Sequence, residues 1–341
     1  FLSLDWSLLG GAAFEAGSRT SHVAMLARAR GVPLVTGLGV VDGHAGEAIL
    51  DGVEGALILS PGEATRAIYD FRLGAAALED ETESETLNAP AVMRNGERVV
   101  VMSNVDDPRD ASATLPQVCD GIGLTRTEFL FIGREELPDE DSQHAVYADL
   151  LELAGGKPAI IRTLDVGGDK PLPGITLPAE SNPFLGLRGI RLCLDRPELF
   201  RPQVRALLRA AATGPLKVML PMVSHPDEIE EARHVFTREL ADLAGMPARM
   251  PELGIMVEVP AVAVTIERFA AADFFSIGSN DLVQYTLAAS RDAGGRVARL
   301  ADARDPAVLR LIANVVAFGR ETGKEISVCG DMASDRSGLA A

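Results

Sequence analysis

The sequence has few cysteines, no long apolar run free of charge, and fewer basic than acidic residues. Its three cysteines, Cys119, Cys193 and Cys329, are far apart and lack the paired spacing of metal ligands. This pattern argues against a disulfide framework and against a zinc site, and it fits a reducing cytoplasm. No uncharged apolar run approaches the ~20 residues of a membrane-spanning helix, so we expect a soluble cytoplasmic protein without membrane insertion.

The charge balance limits the possible partners. The chain carries 32 basic and 49 acidic residues, which gives a net charge of -17. Because nucleic-acid backbones require clustered Lys and Arg, a nucleic-acid partner is disfavoured. An anionic substrate would have to be bound by a few local arginines, because the negative net charge of the chain repels it.

The chain of 341 residues is long enough for two domains. Its amino terminus, Phe1 to Asp5, has no start methionine, no basic stretch and no cleavage site of a targeting signal. We therefore expect the chain to begin inside a larger protein. In residues 1–60 short apolar runs alternate with Gly-rich turns, which predicts a small compact domain. Residues 61–94 show the apolar spacing of a helix and then an acidic run, and we interpret them as a helical linker.

Residues 95–341 contain seven nearly continuous apolar runs that alternate with amphipathic helical stretches. This alternation is typical of buried parallel strands joined by crossover helices, hence of an α/β fold. The runs cover residues 99–104, 121–126, 159–163, 216–222, 253–258, 274–278 and 326–329. A (β/α)8 TIM-type barrel needs eight strands, and the chain stops at Ala341 as another helix begins. We therefore predict a barrel that lacks its last unit and is truncated at its carboxyl end.

Most of the predicted strands end in a residue that could act on a small anion. Since the carboxyl ends of all strands in a parallel barrel open on one face, these residues are expected to converge on one site. They are Asn104, Arg126, Arg162, Glu258, Asn280 with Asp281, and Cys329. An arginine presents a planar fork of donors that matches phosphate and carboxylate groups. Four arginines are candidates to bind a substrate with both groups: Arg126, Arg162, Arg188 and Arg291.

A lysine and two of the carboxylates complete the predicted phosphate site. Lys170 adds a point charge, and Glu258 and Asp281 supply the hard oxygen ligands that Mg²⁺ prefers. A magnesium-bridged phosphate is the simplest interpretation. The alternatives for the residues taken singly are a surface ion pair for each arginine and a satisfied core or capping carboxylate for the glutamate.

Cys329 and His22 are the candidate catalytic groups. Cys329 is either a small buried hydrophobe or, at a strand's carboxyl end, a proton donor to a carbon atom. His22 follows the hydroxyl-rich turn Gly17 to Ser21 and opens an alanine-rich helix that Thr20 or Ser21 would cap. The free amides and the positive dipole of a helix start would stabilise a phosphoryl group on His22. A capping-region histidine without a chemical role is the alternative.

Several long motifs give the chain a family resemblance. They are residues 19–22 (RTSH), 121–131 (GIGLTRTEFLF), 162–170 (RTLDVGGDK), 182–189 (NPFLGLRG) and 274–282 (FFSIGSNDL). With these motifs the chain resembles the phosphoenolpyruvate-utilising enzymes, and among them the enzyme I proteins of the bacterial phosphotransferase system.

The resemblance implies a fold and a reaction. Residues 1–60 would be part of a swivelling phosphohistidine domain, and residues 95–341 a phosphoenolpyruvate-binding barrel that also forms homodimers. His22 would accept the phosphoryl group of phosphoenolpyruvate and pass it to a histidine phosphocarrier protein, whose docking domain is absent from this sequence. The pathway would be sugar transport.

The resemblance also implies residue roles. Four arginines would bind phosphate and carboxylate, Asn280 would contact the phosphate, Glu258 and Asp281 would hold Mg²⁺, and Cys329 would act at the methylene carbon of the enolate. The sequence departs from the family pattern at Ser18, at Ser290, and at Asp331 with Ser334. These departures affect the expected efficiency more than the expected reaction, and we expect the missing parts to impair this chain.

Two alternatives remain open. A pyruvate, phosphate dikinase or phosphoenolpyruvate synthase shares the histidine domain and the barrel, although nothing in the sequence looks like an ATP site. A nitrogen-related regulatory paralogue of enzyme I would use the same phosphorylation as a signal, and its marker would be a sensory domain outside this sequence.

Overall fold

The structure is a computed structural model of the 341-residue chain. It describes residues 9–17, 23–24, 27, 31–40, 46–86, 89–110, 119–131, 136–167, 175, 180–290, 297 and 299–335. The chain forms two compact units, one of residues 1–87 with 289–301 and one of residues 88–288 with 302–341. The predicted domain boundaries at residues 60 and 94 stay predictions.

The first unit contains two small strand pairs and one long helix. Strands β1 (Ala12–Phe14) and β2 (Leu34–Thr36) pair in parallel. Strands β3 (Ala48–Asp51) and β4 (Ala56–Leu59) form an antiparallel hairpin. Helix α1 spans Glu63–Thr86. Val23, Ala24 and Ala27 are helical, whereas the predicted capping residues Thr20 and Ser21 and the histidine His22 lie outside the described residues.

The second unit is built around a parallel sheet whose seven strands pair in the order of the sequence. The strands are β5 (Ser103–Asn104), β6 (Ile122–Thr125), β7 (Ala159–Arg162), β8 (Leu216–Leu220), β9 (Glu252–Val257), β10 (Phe275–Gly278) and β11 (Ile326–Cys329). Six of the seven lie within the apolar runs of the sequence, and β9 begins one residue before its run. The sheet is curled, and the predicted fold class is confirmed.

Helices connect these strands and cover the sheet. They are α2 (Glu140–Leu153), α3 (Ile190–Asp195), α4 (Pro197–Ala211), α5 (Pro226–Asp242), α6 (Pro260–Val264), α7 (Ser279–Leu287) and α8 (Pro306–Thr322). Proline begins four of them, where its missing N–H costs nothing and its fixed φ suits the first helical position. Asp139 caps α2 by accepting from the amide of Ser142 at 2.8 Å.

The two faces of the sheet pack differently. Val218 and Leu220 of β8 belong to the large core, while Met219 between them belongs to a small cluster of six buried residues. Since neighbouring side chains of a strand point to opposite faces, the large core lies between the sheet and its helices and the small cluster lines the inner face. Leu124, Ile160, Met219, Met256, Phe274 and Cys329 form this inner cluster.

An ion-pair cluster lies beside the inner cluster at the amino ends of the strands. The ammonium of Lys217 on β8 lies 3.0 Å from Glu252 of β9 and 2.7 Å from Glu325, just before β11. It also lies 5.3 Å from the ring centroid of Phe274. The amino-terminal side of the inner face is therefore filled, and this leaves the carboxyl side for chemistry. Among the described helices, none combines the length and the apolar character that crossing a membrane requires.

The packing of α4 on α5 generates a first prediction. Phe236 on α5 is fully buried and meets Phe200 of α4 edge to face, with ring centroids 6.1 Å apart. Phe236→Ala is expected to lower the free energy of unfolding by ~3–5 kcal/mol, because it removes buried surface and leaves a cavity. Urea denaturation followed by circular dichroism measures the change. Val264→Ala, at a position that is 60% exposed, is the control and should change the free energy by less than about 0.5 kcal/mol. Equal effects of the two substitutions would contradict the assignment of the core.

Candidate functional site

The carboxyl ends of the parallel strands carry the predicted polar residues. Arg162 ends β7 and Glu258 follows β9, two residues beyond the inner-face residues Ile160 and Met256 respectively. The period of two places both side chains on the inner face. Cys329 ends β11 on the same face, and Asp281 lies in the first turn of α7, directly after β10.

Arg162 is buried, at 8% exposure, between two carboxylates. Its Nη2 donates to Oε1 of Glu128 at 2.7 Å, and its Nη1 lies 3.2 Å from Oδ2 of Asp165. The same Oε1 of Glu128 accepts from the amide of Asp165 at 3.0 Å. Glu128 therefore holds the guanidinium and the following turn together. The Nε atom of Arg162 is buried and donates no hydrogen bond to any residue that the structure describes.

Arg188 extends this network towards α7. Its Nη2 and Nε donate to the two carboxylate oxygens of Asp165, at 2.9 and 3.2 Å. Its Nη1 lies 3.5 Å from Oδ1 of Asp281. Gly167 places the arginine, since it forms a bridge with Arg188 at a φ of 136° and a Cβ there would lie 2.4 Å from the carbonyl oxygen of Leu187. Asp165 is thus shared by two buried guanidiniums.

Tyr285 links Arg188 to the segment around Phe184. Its hydroxyl accepts from Nη1 of Arg188 at 3.2 Å and donates to the carbonyl oxygen of Phe184 at 2.6 Å. The ring of Phe184 lies against the guanidinium, 5.9 Å from centroid to Cζ. Burial raises the pKa of Tyr285 to about 12, so the phenol keeps its proton at neutral pH.

Glu258 is held by a strained piece of backbone. Its Oε1 accepts from the amide of Met222 at 2.6 Å, and Met222 has a φ of 57°, a left-handed conformation that is unfavourable for a side chain with a Cβ. Gly189 packs against Met222, and a Cβ on that glycine would lie 2.8 Å from the methionine Cβ. Backbone strain of this kind persists where the surrounding structure over-determines it.

The site contains more negative than positive buried charge. The carboxylates of Glu128, Asp165, Glu258 and Asp281 surround the guanidiniums of Arg162 and Arg188, and all six residues are at most 8% exposed. Burial, with the nearby carboxylates of Asp281 and Asp165, raises the pKa of Glu258 to about 8. The protein therefore favours a proton or another cation at Glu258.

The donor set suits a hard divalent cation that keeps some of its own ligands. Mg²⁺ is commonly bound by one or two carboxylates, with waters and substrate oxygens filling the rest of its shell. Glu258 and Asp281 supply two carboxylates, and the excess negative charge would be balanced by a divalent cation. Within the described ranges, no group of three or more His, Cys, Asp or Glu side chains could hold a metal alone. The residues present therefore fit Mg²⁺ together with a substrate.

Cys329 ends β11, and Asn280 lies in the first turn of α7, directly after the neighbouring strand β10. The Oδ1 of Asn280 accepts from the amide of Asp331 at 3.1 Å. Gly330, between Cys329 and Asp331, has a φ of 90°. A Cβ at this position would lie 2.5 Å from Oγ of Ser279. The thiol of Cys329 donates to the carbonyl oxygen of Ile277 at 3.5 Å and accepts from Oγ of Ser276 at 3.3 Å. Burial raises the pKa of Cys329, so the group is a thiol that carries a proton.

The other predicted site residues lie at the margin of the site or outside the part of the chain that the structure describes. Arg126 follows β6 with its side chain 42% exposed, and it pairs with Asp106, to which its Nε donates at 3.0 Å. Asn104 ends β5 and is exposed. His22, Lys170 and Arg291 lie outside the described residues.

Sequence reasoning missed four contributors to the site. Glu128 and Asp165 lie inside the long motifs, two residues after Arg126 and three after Arg162, and the close spacing of opposite charges was the available signal. Tyr285 and the amide of Met222 act through contacts between segments that are 101 and 36 residues apart. Nothing in their local sequence marks such contacts.

The chain matches two domains of one group of enzymes over most of its length. Residues 80–341 match the PEP-binding domain of PEP-utilising enzymes, and residues 3–55 match the mobile domain of the same enzymes. The chain belongs to the PEP-utilising enzyme family. The predicted resemblance is confirmed, and all described residues of the buried charge network lie in the PEP-binding domain of this family member.

Three curated relatives show the extent of the similarity. Phosphoenolpyruvate-protein phosphotransferase of Geobacillus stearothermophilus is 42% identical over 97% of this chain and 58% of the relative. The protein of the same name from Bacillus subtilis (strain 168) is 41% identical over 97% of the chain and 59% of the relative. The Multiphosphoryl transfer protein of Rhodobacter capsulatus is 42% identical over 99% of the chain and 41% of the relative. This family member spans less than two thirds of the length of these relatives.

The raised pKa of Glu258 generates a second prediction. Between the usual pKa near 4.5 and the folded value near 8, the folded state holds a proton that the unfolded state has lost. The free energy of unfolding of the wild type should therefore fall as the pH rises from 5 to 8 in the absence of divalent cations. Glu258→Gln keeps an oxygen for the Met222 amide but does not titrate. We expect it to be more stable than the wild type by roughly 1–4 kcal/mol at pH 8, with a smaller difference at pH 5.

Urea denaturation of both proteins in EDTA across this pH range measures the difference. Titration of all other groups is common to the two proteins and cancels. Parallel pH profiles would show that the Glu258 carboxyl ionises as in water.

Proposed function

We propose that this chain transfers the phosphoryl group of phosphoenolpyruvate to His22 in the presence of Mg²⁺ and releases pyruvate. The observation that carries the proposal is the cluster of two buried guanidiniums and four buried carboxylates at the carboxyl ends of the sheet. The match of residues 80–341 to a PEP-binding domain and the names of the relatives support the choice of substrate.

The guanidiniums suit both anionic ends of the substrate. Phosphoenolpyruvate carries a phosphate and a carboxylate, and the planar donor forks of Arg162 and Arg188 match either group. We assign Arg126, Lys170 and Arg291 to the same task, and Asn280 to a phosphate oxygen. Because Asp165 and Glu128 already fix the two buried arginines, little reorganisation is needed when the substrate arrives.

Glu258 and Asp281 would hold Mg²⁺ beside the phosphate. The bound cation would supply charge stabilisation to the transferring phosphoryl group. The two carboxylates would hold the cation, and the amide of Met222 orients Glu258. The raised pKa of Glu258 is consistent with this role, since the cation would replace the proton that the buried carboxyl otherwise keeps.

The reaction then needs only positioning and proton placement. An imidazole nitrogen of His22 attacks phosphorus, the N–P bond forms, and the bond between phosphorus and the enol oxygen breaks in line. The enolate left behind takes a proton at its methylene carbon from the thiol of Cys329, and pyruvate forms. Cys329 is suited to this step because its thiol lies at a strand end of the site and keeps its proton.

The wider assignment follows the relatives. We propose that phospho-His22 passes its phosphoryl group to a histidine phosphocarrier protein, that the barrel forms a homodimer, and that the protein acts in the cytoplasm. Sugar transport is the proposed pathway. These assignments are supported by the relatives named phosphoenolpyruvate-protein phosphotransferase.

The third prediction tests the proposed transfer directly. The intact chain, incubated with phosphoenolpyruvate and Mg²⁺ without nucleotide, is expected to gain the mass of one acid-labile phosphoryl group. His22→Ala is the control and should gain nothing. Intact-mass spectrometry measures both. An adduct that appears only with ATP or AMP would favour a dikinase instead, and an adduct that persists in His22→Ala would refute transfer to this residue.

A fourth prediction separates proton delivery from binding. Cys329→Ala is expected to slow pyruvate formation by roughly 100-fold or more, since general acid catalysis typically contributes 10²–10⁴-fold. Binding of phosphoenolpyruvate should change little, because the thiol does not hold the substrate's charges. Stopped-flow assay of pyruvate and calorimetric titration with phosphoenolpyruvate measure the two quantities. An equal loss of binding and rate would assign Cys329 a packing role only.

A further inference from the structure

A fully buried glutamine on an outer helix reaches the strand ends that carry the site. Gln203 lies on α4 with no exposed surface. Its Oε1 accepts from the amide of Leu164 at 2.9 Å. Its Nε2 donates to Oγ1 of Thr127 and to the hydroxyl of Tyr147, each at 3.1 Å. The side chain thus bonds two strand ends, those of β6 and β7, and the neighbouring helix α2.

These contacts hold the backbone at Arg162 and again two residues later, at Leu164. Thr127 links Gln203 to Arg162, because its Oγ1 donates to the carbonyl oxygen of Arg162 at 3.1 Å. Gln203 holds the amide of Leu164, two residues after Arg162 and immediately before Asp165. Thr127 also immediately precedes Glu128, which pairs with the Arg162 guanidinium. A single side chain therefore bonds the residues that directly precede Glu128 and Asp165, and through Thr127 it is linked to the carbonyl oxygen of Arg162.

The far end of the network is anchored as well. The hydroxyl of Tyr147, which is also fully buried, donates to Oε1 of Gln143 at 3.1 Å. The side-chain Nε2 of Gln143 in turn donates to the carbonyl oxygen of Pro138 at 2.9 Å. Both donors and the acceptor of Gln203 have partners, and fully satisfied buried networks of this kind rigidify what they touch.

The network does not serve packing alone. An apolar side chain of the same shape would fill the same volume between α4 and the sheet, but it would offer no acceptor to the buried amide of Leu164. Two of the three hydrogen bonds of Gln203 go to the segments that bear Glu128, Arg162 and Asp165. The bond with the amide of Leu164 fixes the backbone just beyond the end of β7. This is where an arginine that binds a substrate needs support.

We propose that Gln203 is a positioning residue that, with Thr127, sets the backbone of Arg162 and Asp165 for binding of phosphoenolpyruvate. The inference rests on the proposed function, and it assigns Gln203 no contact with the substrate. Gln203→Met has nearly the same volume and removes all three hydrogen bonds. The matched control is Leu207→Ala, also fully buried on α4 and expected to lower stability through packing alone.

The fifth prediction is a split between binding and rate. Gln203→Met is expected to raise the phosphoenolpyruvate concentration that half-saturates His22 phosphorylation by roughly 10-fold or more, because a displaced Arg162 loses charge-assisted hydrogen bonds to the bound anion, which are about twice as strong as neutral ones. The maximal rate should change by less than about threefold, because an arginine that holds the substrate equally in ground and transition states affects KM alone. Leu207→Ala should leave the half-saturating concentration unchanged.

Two further measurements make the test specific. Amide hydrogen exchange at residues 163–165 should speed up by about tenfold or more in Gln203→Met and not in Leu207→Ala, since only the former frees the Leu164 amide. Thr127→Val should reproduce the change in half-saturation and Thr127→Ser should not, because serine keeps the hydroxyl. The Thr127 pair also serves if Gln203→Met does not fold.

The outcomes separate this inference from the proposed function. A wild type that labels His22 normally while Gln203→Met and Thr127→Val saturate like Leu207→Ala would overturn the inference alone. A wild type that neither binds phosphoenolpyruvate nor acquires a phosphoryl group would overturn the proposed function, and the inference with it.

Discussion

Burying charge at the carboxyl ends of a parallel sheet requires every ion to have a partner, and this requirement shapes the site. Removing one partner of a buried pair costs about 3–5 kcal/mol, far more than a surface ion pair contributes. Arg162 therefore lies between Glu128 and Asp165, and Arg188 between Asp165 and Asp281. These pairs leave an excess of negative charge. The raised pKa of Glu258 reduces this excess because the carboxyl keeps a proton, and a bound cation would neutralise it equally well.

The fold supplies the geometry in two layers. The pleat of β7 and β9 sends Arg162 and Glu258 to the inner face, while alternate residues anchor the same strands in the large core. The helices behind the sheet are more than a cover, since Gln203 on α4 reaches the ends of β6 and β7. Strain at Met222 and the glycines at 167, 189 and 330 bring the loops close enough to complete the site.

The sequence predicted the strands and most of the site's charged residues, because both depend on local pattern. Apolar runs specify buried parallel strands, and the polar residue that follows each run lies at the common edge of the sheet. Contacts between distant segments could not be read in this way. The hydroxyl of Tyr285 bonds a carbonyl 101 residues away, and the amide of Met222 holds Glu258 through an unusual φ. Glu128 and Asp165 lay inside recognised motifs, yet only the structure shows them as the partners of the arginines.

The sharing of Asp165 has a consequence for how this sequence can diverge over time. Both oxygens of that carboxylate are engaged by Arg188, and one of them also lies beside Arg162. A single replacement at 165 would leave two buried cations without a common counter-ion, so no stepwise path through one substitution is favourable. Positions 162, 165 and 188 should therefore accept changes as a group or not at all. Arg126 pairs with Asp106 at the partly exposed rim, so no shared buried counter-ion ties it to these three positions.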